Sequence, residues 1–210
     1  PTLTEVKEIA KTGKYNILPV SCEILSDFIT PIEAMRILQN VSTHCYLLES
    51  AQANEAWGRY TFLGYDPKLE INCIDGHMKL GKLSVETENP SEYIRQILSE
   101  YKSPKFDYLP SFTGGLVGYF SYDYLGYKEK SIRGKARDTE DFKDVDLMLF
   151  DKVIAFDNLC QKIILIANMS LDAPETGYNK AIVELKQLRE LLMHGEKKQN
   201  MGGKLLGDVT

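Results

Sequence analysis

The chain has 210 residues, of which 43% are hydrophobic and 26% charged, and its formal net charge is −5 at neutral pH. This composition is typical of a globular protein and excludes an intrinsically disordered chain. The acidic balance, with lysines and arginines scattered along the sequence, also argues against general binding to nucleic acids or anionic lipids.

Targeting and redox signals are few. No apolar run approaches the ~20 residues that a membrane span requires, and no signal peptide is recognisable, so we expect a cytoplasmic protein. The cysteines fit neither a zinc site nor a CxxC redox motif, because the gaps between them are long and irregular. Each lies in or beside an apolar stretch, which predicts four reduced, buried thiols. They are Cys22, Cys45, Cys73 and Cys160.

The first 25 residues predict a helix followed by an edge strand. Residues 3–10 have helical spacing of their apolar positions. Residues 16–25 are typical of extended structure, and Pro19 within them favours a sheet edge because it has no backbone N–H.

A second helix is predicted to begin after Thr30. Thr30 is a capping residue, Pro31 suits the first helical position, and Glu33 completes a capping box. We expect this helix to end at Asn40. The spacing of its apolar residues predicts an inward face made of Ile32, Met35 and Leu38.

The middle of the chain predicts strands joined by tight turns. Asp75 and Gly76 form the dipeptide preferred in two-residue hairpins, between strands at 69–74 and 77–80. Asn89, Pro90 and Glu92 repeat the capping signature and predict a helix up to Tyr101. The remaining predicted strands are 44–50, 59–64, 145–157 and 161–168.

The last third of the chain predicts one long helix and then a linker. Residues 175–193 carry apolar side chains at helical spacing, whereas residues 194–210 are polar and rich in glycine. We therefore expect one domain over 1–193 and a linker over 194–210. Because the strands outnumber the helices and follow one another through tight turns, we predict an α+β fold with mostly antiparallel strands, in two packed sheets with flanking helices.

Residues suited to catalysis are scarce in the sequence. No P-loop, GxGxxG, GxSxG or HExxH motif occurs. The histidines, His44, His77 and His194, are isolated, and the acidic residues around Asp144 are interpreted as a solvated charge run. These features favour a binding or scaffolding domain over an enzyme active site.

Residues 44–67 offer the most specific pattern. A strand that ends in Leu48, Glu49 and Ser50 presents an apolar side chain, a carboxylate and a hydroxyl close together, which are the groups that a free amino acid with a large side chain requires. The alternative is that Leu48 belongs to the core, Ser50 begins a turn, and Glu49 pairs with Arg59 on the next strand. The spacing alone leaves both interpretations open.

Three sequence segments together resemble the large subunit, component I, of anthranilate synthase. They are LLES followed by GRYTFLGYDP at 47–50 and 58–67, TGGLVGYFSYD at 113–123, and DLMLFDKVIAFD at 146–157. Their order and spacing agree with the family pattern, and the resemblance covers about residues 13–193. Each segment alone is weak, whereas the set is specific.

The resemblance implies the N-terminal domain of an enzyme that makes anthranilate and pyruvate from chorismate and ammonia. A C-terminal chorismate-binding domain would hold Mg²⁺ and the catalytic residues, and a glutamine amidotransferase subunit, component II, would supply the ammonia. It also implies that L-tryptophan, the feedback inhibitor, binds between the domains, with Leu48, Glu49 and Ser50 contributing. Independently of the resemblance, we expect Arg59 to form a cross-strand ion pair with Glu49 and so to support the pocket wall. The segment by itself is expected to be inactive and to need no cofactor.

Three other functions stay open at this point. The large subunit of aminodeoxychorismate synthase shares the fold and the GGxxGY segment, although LLES with GRYTFLG favours the tryptophan pathway. A freestanding amino-acid-sensing domain, or a structural scaffold, would also fit the absence of catalytic motifs. Finally, Gly114, Gly115 and Gly118 are expected to serve backbone geometry and not ligand binding.

Overall fold

A computed structural model of the chain describes residues 1–50, 58–129, 131 and 142–197. Its helices are α1 Leu3–Lys11, α2 Pro31–Val41, α3 Pro90–Glu100 and α4 Pro174–His194, with a 3-10 helix at Tyr122–Tyr127. Its strands are β1 Ile17–Leu25, β2 Cys45–Leu48, β3 Tyr60–Tyr65, β4 Leu69–Ile74, β5 His77–Leu80, β6 Leu83–Glu86, β7 Gly115–Phe120, β8 Val145–Phe150, β9 Lys152–Asp157 and β10 Lys162–Ser170.

The strands form two five-stranded antiparallel sheets. Sheet A has the order β1-β10-β9-β3-β2, and sheet B has the order β6-β5-β4-β8-β7. Together with the flanking helices, these sheets confirm the predicted α+β fold class.

Both faces of sheet A are buried. Helices α1, α2 and α4 cover one face, where α4 packs Leu185 and Leu188 against Ile154 and Leu165 of the central strands. The segment 106–112 covers the other face with Leu109 and its neighbouring aromatic rings. Strands β9 and β10 are therefore apolar on both sides, as expected for strands inside a layered core.

The described elements cover mainly one face of sheet B, and on the other face Phe150, at the end of β8, packs on Tyr46 of sheet A. Ile94 of α3 packs on Ile71, Met78 and Leu147, and tyrosines of the 3-10 helix lie beside them. The opposite face carries polar or half-exposed side chains such as Asn72. This alternation is typical of an antiparallel sheet with one face against the core.

Capping residues explain where α1 and α2 begin. Thr2 with Glu5, and Thr30 with Glu33, each form a complete capping box, as the sequence predicted for the second pair. Asn89 before α3 is different, because its side chain makes no capping bond to the helix backbone and donates instead to the Glu92 carboxylate at 2.8 Å.

The predicted inward face of α2 is wrong in one position. Ile32 is 53% exposed, whereas Ala34, Ile37 and Leu38 are buried. Residues six apart on a helix lie about 120° from each other around its axis, so Ile32 and Leu38 cannot both face the core. Residues four apart, such as Ala34 and Leu38, do share a face.

The apolar run 145–157, predicted as one strand, is two strands that belong to different sheets. β8 ends at Phe150 in sheet B and β9 begins at Lys152 in sheet A. Asp151 stands between them, and its carbonyl oxygen accepts hydrogen bonds from the backbone N–H and the side-chain Nδ2 of Asn168, at 2.8 and 3.0 Å. This polar residue marks the point where the chain leaves one ladder and enters the other.

The prediction of four buried thiols is wrong for one cysteine. All four are thiols outside any disulfide; Cys73 is buried and Cys22 and Cys45 are half-buried, but Cys160 is exposed. Its position in the turn between β9 and β10 explains the exposure.

The residues that follow α4 return to α2. Lys197 forms an ion pair with Glu33 at 2.6 Å, and Asn40 donates to the Glu196 carbonyl at 2.5 Å. Most of the predicted linker, residues 198–210, lies outside the described residues. Within the described part of the chain, no helix is both long enough and apolar enough to span a membrane.

Candidate functional site

The LLES motif lies at the open edge of sheet A, where β2 ends. In the antiparallel pair of β2 and β3, Leu47 is opposite Leu63 and Leu48 is opposite Phe62. Leu47 packs on the helix-covered core, whereas Leu48 points to the other side and is 48% exposed. The strand is shorter than the predicted range 44–50. β2 ends at Leu48, and Glu49 and Ser50 follow its last residue.

A hollow of about 490 Å³ lies directly beside this strand end. Its lining residues are Leu47, Leu48, Glu49, Ser50, Tyr60 and Phe62. The structure thus brings all three predicted ligand-binding residues to one place and adds two aromatic rings from β3, whose centroids are 5.8 Å apart. An apolar surface with a carboxylate and a hydroxyl at its rim is suited to a small amphipathic molecule. Binding of tryptophan there stays a prediction.

A chain of aromatic rings supports the hollow from behind. Phe62 contacts Phe112 edge to face at 5.7 Å, and Phe112 contacts Tyr46 at 6.4 Å. Tyr46 in turn contacts Phe150 of sheet B at 4.7 Å. Gly64 makes room for the Tyr46 ring, because a Cβ at residue 64 would collide with that ring. These contacts connect the hollow with both sheets.

Burial of Tyr46 has an electrostatic consequence. Its hydroxyl is buried and has no hydrogen-bond partner among the described residues. Burial raises the pKa of the Tyr46 phenol because the charged phenolate would lose its hydration. This ring is therefore a neutral packing element under the hollow.

The predicted cross-strand pair between Glu49 and Arg59 is wrong. Arg59 makes a bidentate ion pair with the buried Asp157, from Nε at 3.1 Å and from Nη2 at 2.7 Å. Glu49 takes part in no ion pair between described residues. The fork of a guanidinium fits a carboxylate in this geometry, and Asp157 ends the neighbouring strand β9, directly opposite Tyr60.

Arg59 nevertheless touches the site through Tyr60. Its guanidinium carbon lies 4.9 Å from the centroid of the Tyr60 ring, within the range of a cation–π contact. Arg59 is thus held by Asp157 on one side and stacks on a ring that lines the hollow on the other. Whether it supports a bound ligand stays a prediction.

Asp157 is a polar residue that the sequence patterns did not single out. Burial acts to raise the pKa of its carboxyl, but hydrogen bonds from Arg59 and from the backbone N–H of Cys160 outweigh it and lower the pKa to about 2. The one sequence feature that includes Asp157 is the DLMLFDKVIAFD segment, and that segment does not indicate that Arg59 is its partner.

Asp144 is a second such residue, and its interpretation as part of a solvated charge run is wrong. It is only 9% exposed and accepts hydrogen bonds from the Tyr127 hydroxyl at 2.6 Å and the Asp75 backbone N–H at 2.8 Å. Tyr127 also accepts from the Gly76 N–H at 2.6 Å. This network holds the β4–β5 turn against the 3-10 helix. Asp138, Glu140 and Asp141 of the predicted charge run lie outside the described residues.

A second groove, of about 560 Å³, is slightly larger than the hollow. It is lined by Glu23, Ile24, Leu25, Phe28, Cys160, Lys162, Arg189 and Met193. Lys162 and Glu23 already pair with each other at 2.7 Å. This groove contains none of the LLES residues, so the smaller hollow is the better candidate.

The described residues offer no obvious centre for metal binding. Among them, no group of three or more His, Cys, Asp or Glu side chains is arranged to hold a metal ion. The histidines lie apart, and the nearest acidic groups are Glu70 to His44 at 3.4 Å and Glu86 to His77 at 3.5 Å. These residues therefore do not fit an Mg²⁺ ion, which prefers several oxygen ligands.

Comparison with known sequences gives a consistent set of relatives. The chain is 34% identical over 198 residues to anthranilate synthase component 1 of Acetivibrio thermocellus, which covers 91% of the chain and 39% of the relative. It is 36% identical over 196 residues to the protein of that name from Pseudomonas aeruginosa, with 90% and 39% covered. The chain thus spans about two fifths of the length of these relatives.

A solved structure agrees with the sequence comparison. Anthranilate synthase component I from Streptococcus pneumoniae matches with a TM-score of 0.51 and 25% identity, over 79% of this chain and 36% of that chain. No family model matches the sequence. The partial coverage is consistent with an N-terminal domain, and on the strength of these relatives the chain belongs to the anthranilate synthase component 1 family.

Proposed function

We propose that this chain is the N-terminal part of an anthranilate synthase large subunit, that it carries one side of a tryptophan feedback site, and that it is not catalytic by itself. The named relatives support the first part of the proposal. The hollow at the LLES motif supports the second. A cytoplasmic location belongs to the same proposal.

The whole protein would convert chorismate and ammonia to anthranilate and pyruvate. In this proposal a C-terminal chorismate-binding domain holds Mg²⁺ and the catalytic residues, and a glutamine amidotransferase subunit releases the ammonia. The described residues contribute no reacting group to this conversion. Their proposed task is to position and regulate the catalytic domain.

One observation carries the regulatory proposal: Leu48, Glu49 and Ser50 line a hollow together with Tyr60 and Phe62. The indole ring of tryptophan would pack on the two rings and on Leu48, since apolar burial and aromatic contacts favour it. The carboxylate of Glu49 would attract the ammonium group of the ligand, and the Ser50 hydroxyl would bond to its polar end. The catalytic domain would enclose the remaining side of the ligand.

The test uses the longer gene product that contains this chain. We expect it to form anthranilate, detected by fluorescence, from chorismate, Mg²⁺ and ammonium, and we expect tryptophan to inhibit the reaction. The 210-residue chain under the same conditions should form none. Anthranilate formation by the chain alone would refute the non-catalytic assignment, and aminodeoxychorismate as the product would move the protein to the folate pathway.

Substitution of Ser50 tests the residue assignment. In Ser50→Phe the larger side chain should occupy the hollow and raise the tryptophan concentration for half-inhibition at least tenfold, about 1.4 kcal/mol of binding free energy. Each rate is compared with the uninhibited rate of the same variant. Ser84→Phe, at an exposed position of β6, is the matched control and should keep the normal inhibition curve. An unchanged inhibition curve in Ser50→Phe would contradict the assignment.

A further inference from the structure

The four sheet edges of this fold differ in how they are protected. β1 contains Pro19 and Glu23, and the carbonyl of Lys102 accepts hydrogen bonds from the N–H groups of residues 16 and 17 at its start. β2 and β6 have only four residues each, and β6 ends in Glu86. Short strands, prolines and charges are the means by which proteins prevent unwanted pairing at sheet edges.

β7 has none of these protections. It has six residues, Gly115–Phe120, with the sequence GLVGYF, which contains no proline and no charge. Within the described part of the chain, β8 is the only strand that pairs with it. Alternate backbone groups of an edge strand point away from the sheet, so β7 presents a row of donors and acceptors on its outer side.

The side chains around β7 are aromatic and exposed. Tyr119 is 40% exposed and contacts Phe142, itself 60% exposed, with the ring centroids 6.4 Å apart. On the opposite face of the strand, Phe120 is 49% exposed beside Tyr124. Exposed apolar side chains that cluster in this way are typical of a surface that contacts another protein segment.

The chemistry of this edge defines its partner. Asp146, which lies opposite Tyr119 on β8, pairs with Lys143 at 2.9 Å, so this ion pair adds no net charge beside the strand. An extended apolar segment would satisfy the backbone groups of β7 and cover Tyr119 and Phe120 at once.

The length of the relatives indicates where such a segment would come from. About three fifths of each relative lies outside the part that this chain matches, since the match covers 39% of their length. We infer that β7 is an interdomain edge, which pairs with an extended segment of the polypeptide that completes the longer protein and so continues sheet B. This inference rests on the proposed function, because it requires that longer protein.

Hydrogen–deuterium exchange tests the inference without any use of activity or tryptophan. Exchange in peptides spanning 115–120 is compared between the longer protein and the 210-residue chain, and peptides from the interior strand β10 serve as the folding reference. We expect β7 to exchange at least a hundredfold more slowly in the longer protein, while β10 is equally slow in both. Equal exchange of β7 in both proteins would overturn the inference.

Two other occupants of the edge give distinct results. Slow exchange of β7 in a monomeric 210-residue chain would mean that the chain covers its own edge, and slow exchange in a dimeric chain would mean that a second copy does. Either result overturns the inference. A longer protein with slow β7 exchange but without anthranilate formation would instead contradict the proposed function and leave the interdomain edge standing.

A matched pair of variants in the longer protein localises the contact. Tyr119→Lys places a charge on the strand edge and should speed the exchange of residues 115–120 at least tenfold. Tyr122→Lys, at a position that is 82% exposed and lies beyond the strand, should leave that exchange unchanged. An equal effect of the two substitutions would contradict pairing at β7.

Discussion

Arg59 donates two hydrogen bonds, at 3.1 and 2.7 Å, to the carboxylate of Asp157, which lies 98 positions further along the sequence. The side chain of Asp157 is fully buried, whereas that of Arg59 is 35% exposed. The pair joins the start of β3 to the end of β9 and holds Arg59 over Tyr60, beside the candidate site.

We predict that Asp157→Asn lowers the free energy of unfolding by about 2 kcal/mol, because the Arg59 guanidinium loses the buried carboxylate that pairs with it. Urea denaturation at pH 7 measures the change. Glu23→Gln is the control, since it removes the exposed ion pair with Lys162 and should cost less than about 1 kcal/mol.

The pH dependence of the unfolding free energy tests whether the Asp157 carboxylate is responsible for this effect. The pKa of Asp157 is about 2 in the folded protein, below its ordinary value of 3.8, so the charged carboxylate stabilises the fold above pH ~4. That contribution is lost as the pH falls towards 2. The difference in unfolding free energy between wild type and Asp157→Asn should therefore shrink over this window, and a difference that stays constant down to pH 2 would contradict the assigned pair.

Tryptophan should bind the 210-residue chain at least about a hundredfold more weakly than it binds the longer protein. The reason is that the hollow is open at Leu48, which is 48% exposed, so the indole would remain partly hydrated. A loss of ~3 kcal/mol of contact corresponds to that factor. Calorimetry is the suitable measurement, because Trp57, which lies outside the described residues, would disturb a fluorescence assay. Micromolar binding by the chain alone would contradict a shared pocket.

Gly118→Ala should destabilise the fold more than Gly115→Ala. Both glycines have positive φ, 154° and 139°, where any L side chain is strained. A Cβ at residue 118 would also collide with the backbone of Asp146, whereas a Cβ at residue 115 meets its nearest atom, in Phe112, at an ordinary 3.7 Å. Thermal denaturation of the two variants gives the comparison, and equal losses would show that backbone strain alone explains both glycines.

Tyr127→Phe should cost about 1–3 kcal/mol, because the substitution leaves the Asp144 carboxylate and the Gly76 N–H without the hydroxyl that both contact. Tyr122→Phe is the matched control at an 82% exposed position and should change stability by less than about 0.5 kcal/mol. Denaturation in urea distinguishes the two, and a neutral Tyr127→Phe would show that the network contributes nothing.

Local features of the fold were predictable from the sequence. The capping box of α2 and the hairpin at Asp75 and Gly76 depend on residues that are at most three positions apart. The LLES segment was recognisable because strand alternation and the family pattern point to the same residues. The glycines before and within β7 were expected to serve the backbone, and their positive φ values confirm this.

Long-range partners were not predictable. Nothing near Arg59 in the sequence shows whether it pairs with Glu49 or with Asp157, because the pairing of β3 with β9 decides which carboxylate is within reach. The sequence around Asp144 likewise does not distinguish a surface charge from a buried one, although the 3-10 helix at Tyr122–Tyr127 places a tyrosine hydroxyl against this carboxylate. The tertiary arrangement of strands and helices, which a single sequence does not reveal, determines both partners.

The single residue Asp151 between β8 and β9 makes this run intolerant of length changes. Side chains alternate between the two faces of a strand, so one residue inserted at position 151 would exchange the helix-covered face of β9 with the face that the segment 106–112 covers, relative to β8. Val145 and Leu147 could not stay in the core of sheet B while Ile154 and Phe156 stay in the core of sheet A. We therefore expect insertions of one residue to be tolerated less well at this junction than at most other positions. Connections between strands ordinarily accept insertions, so a library of single-residue insertions would test this expectation.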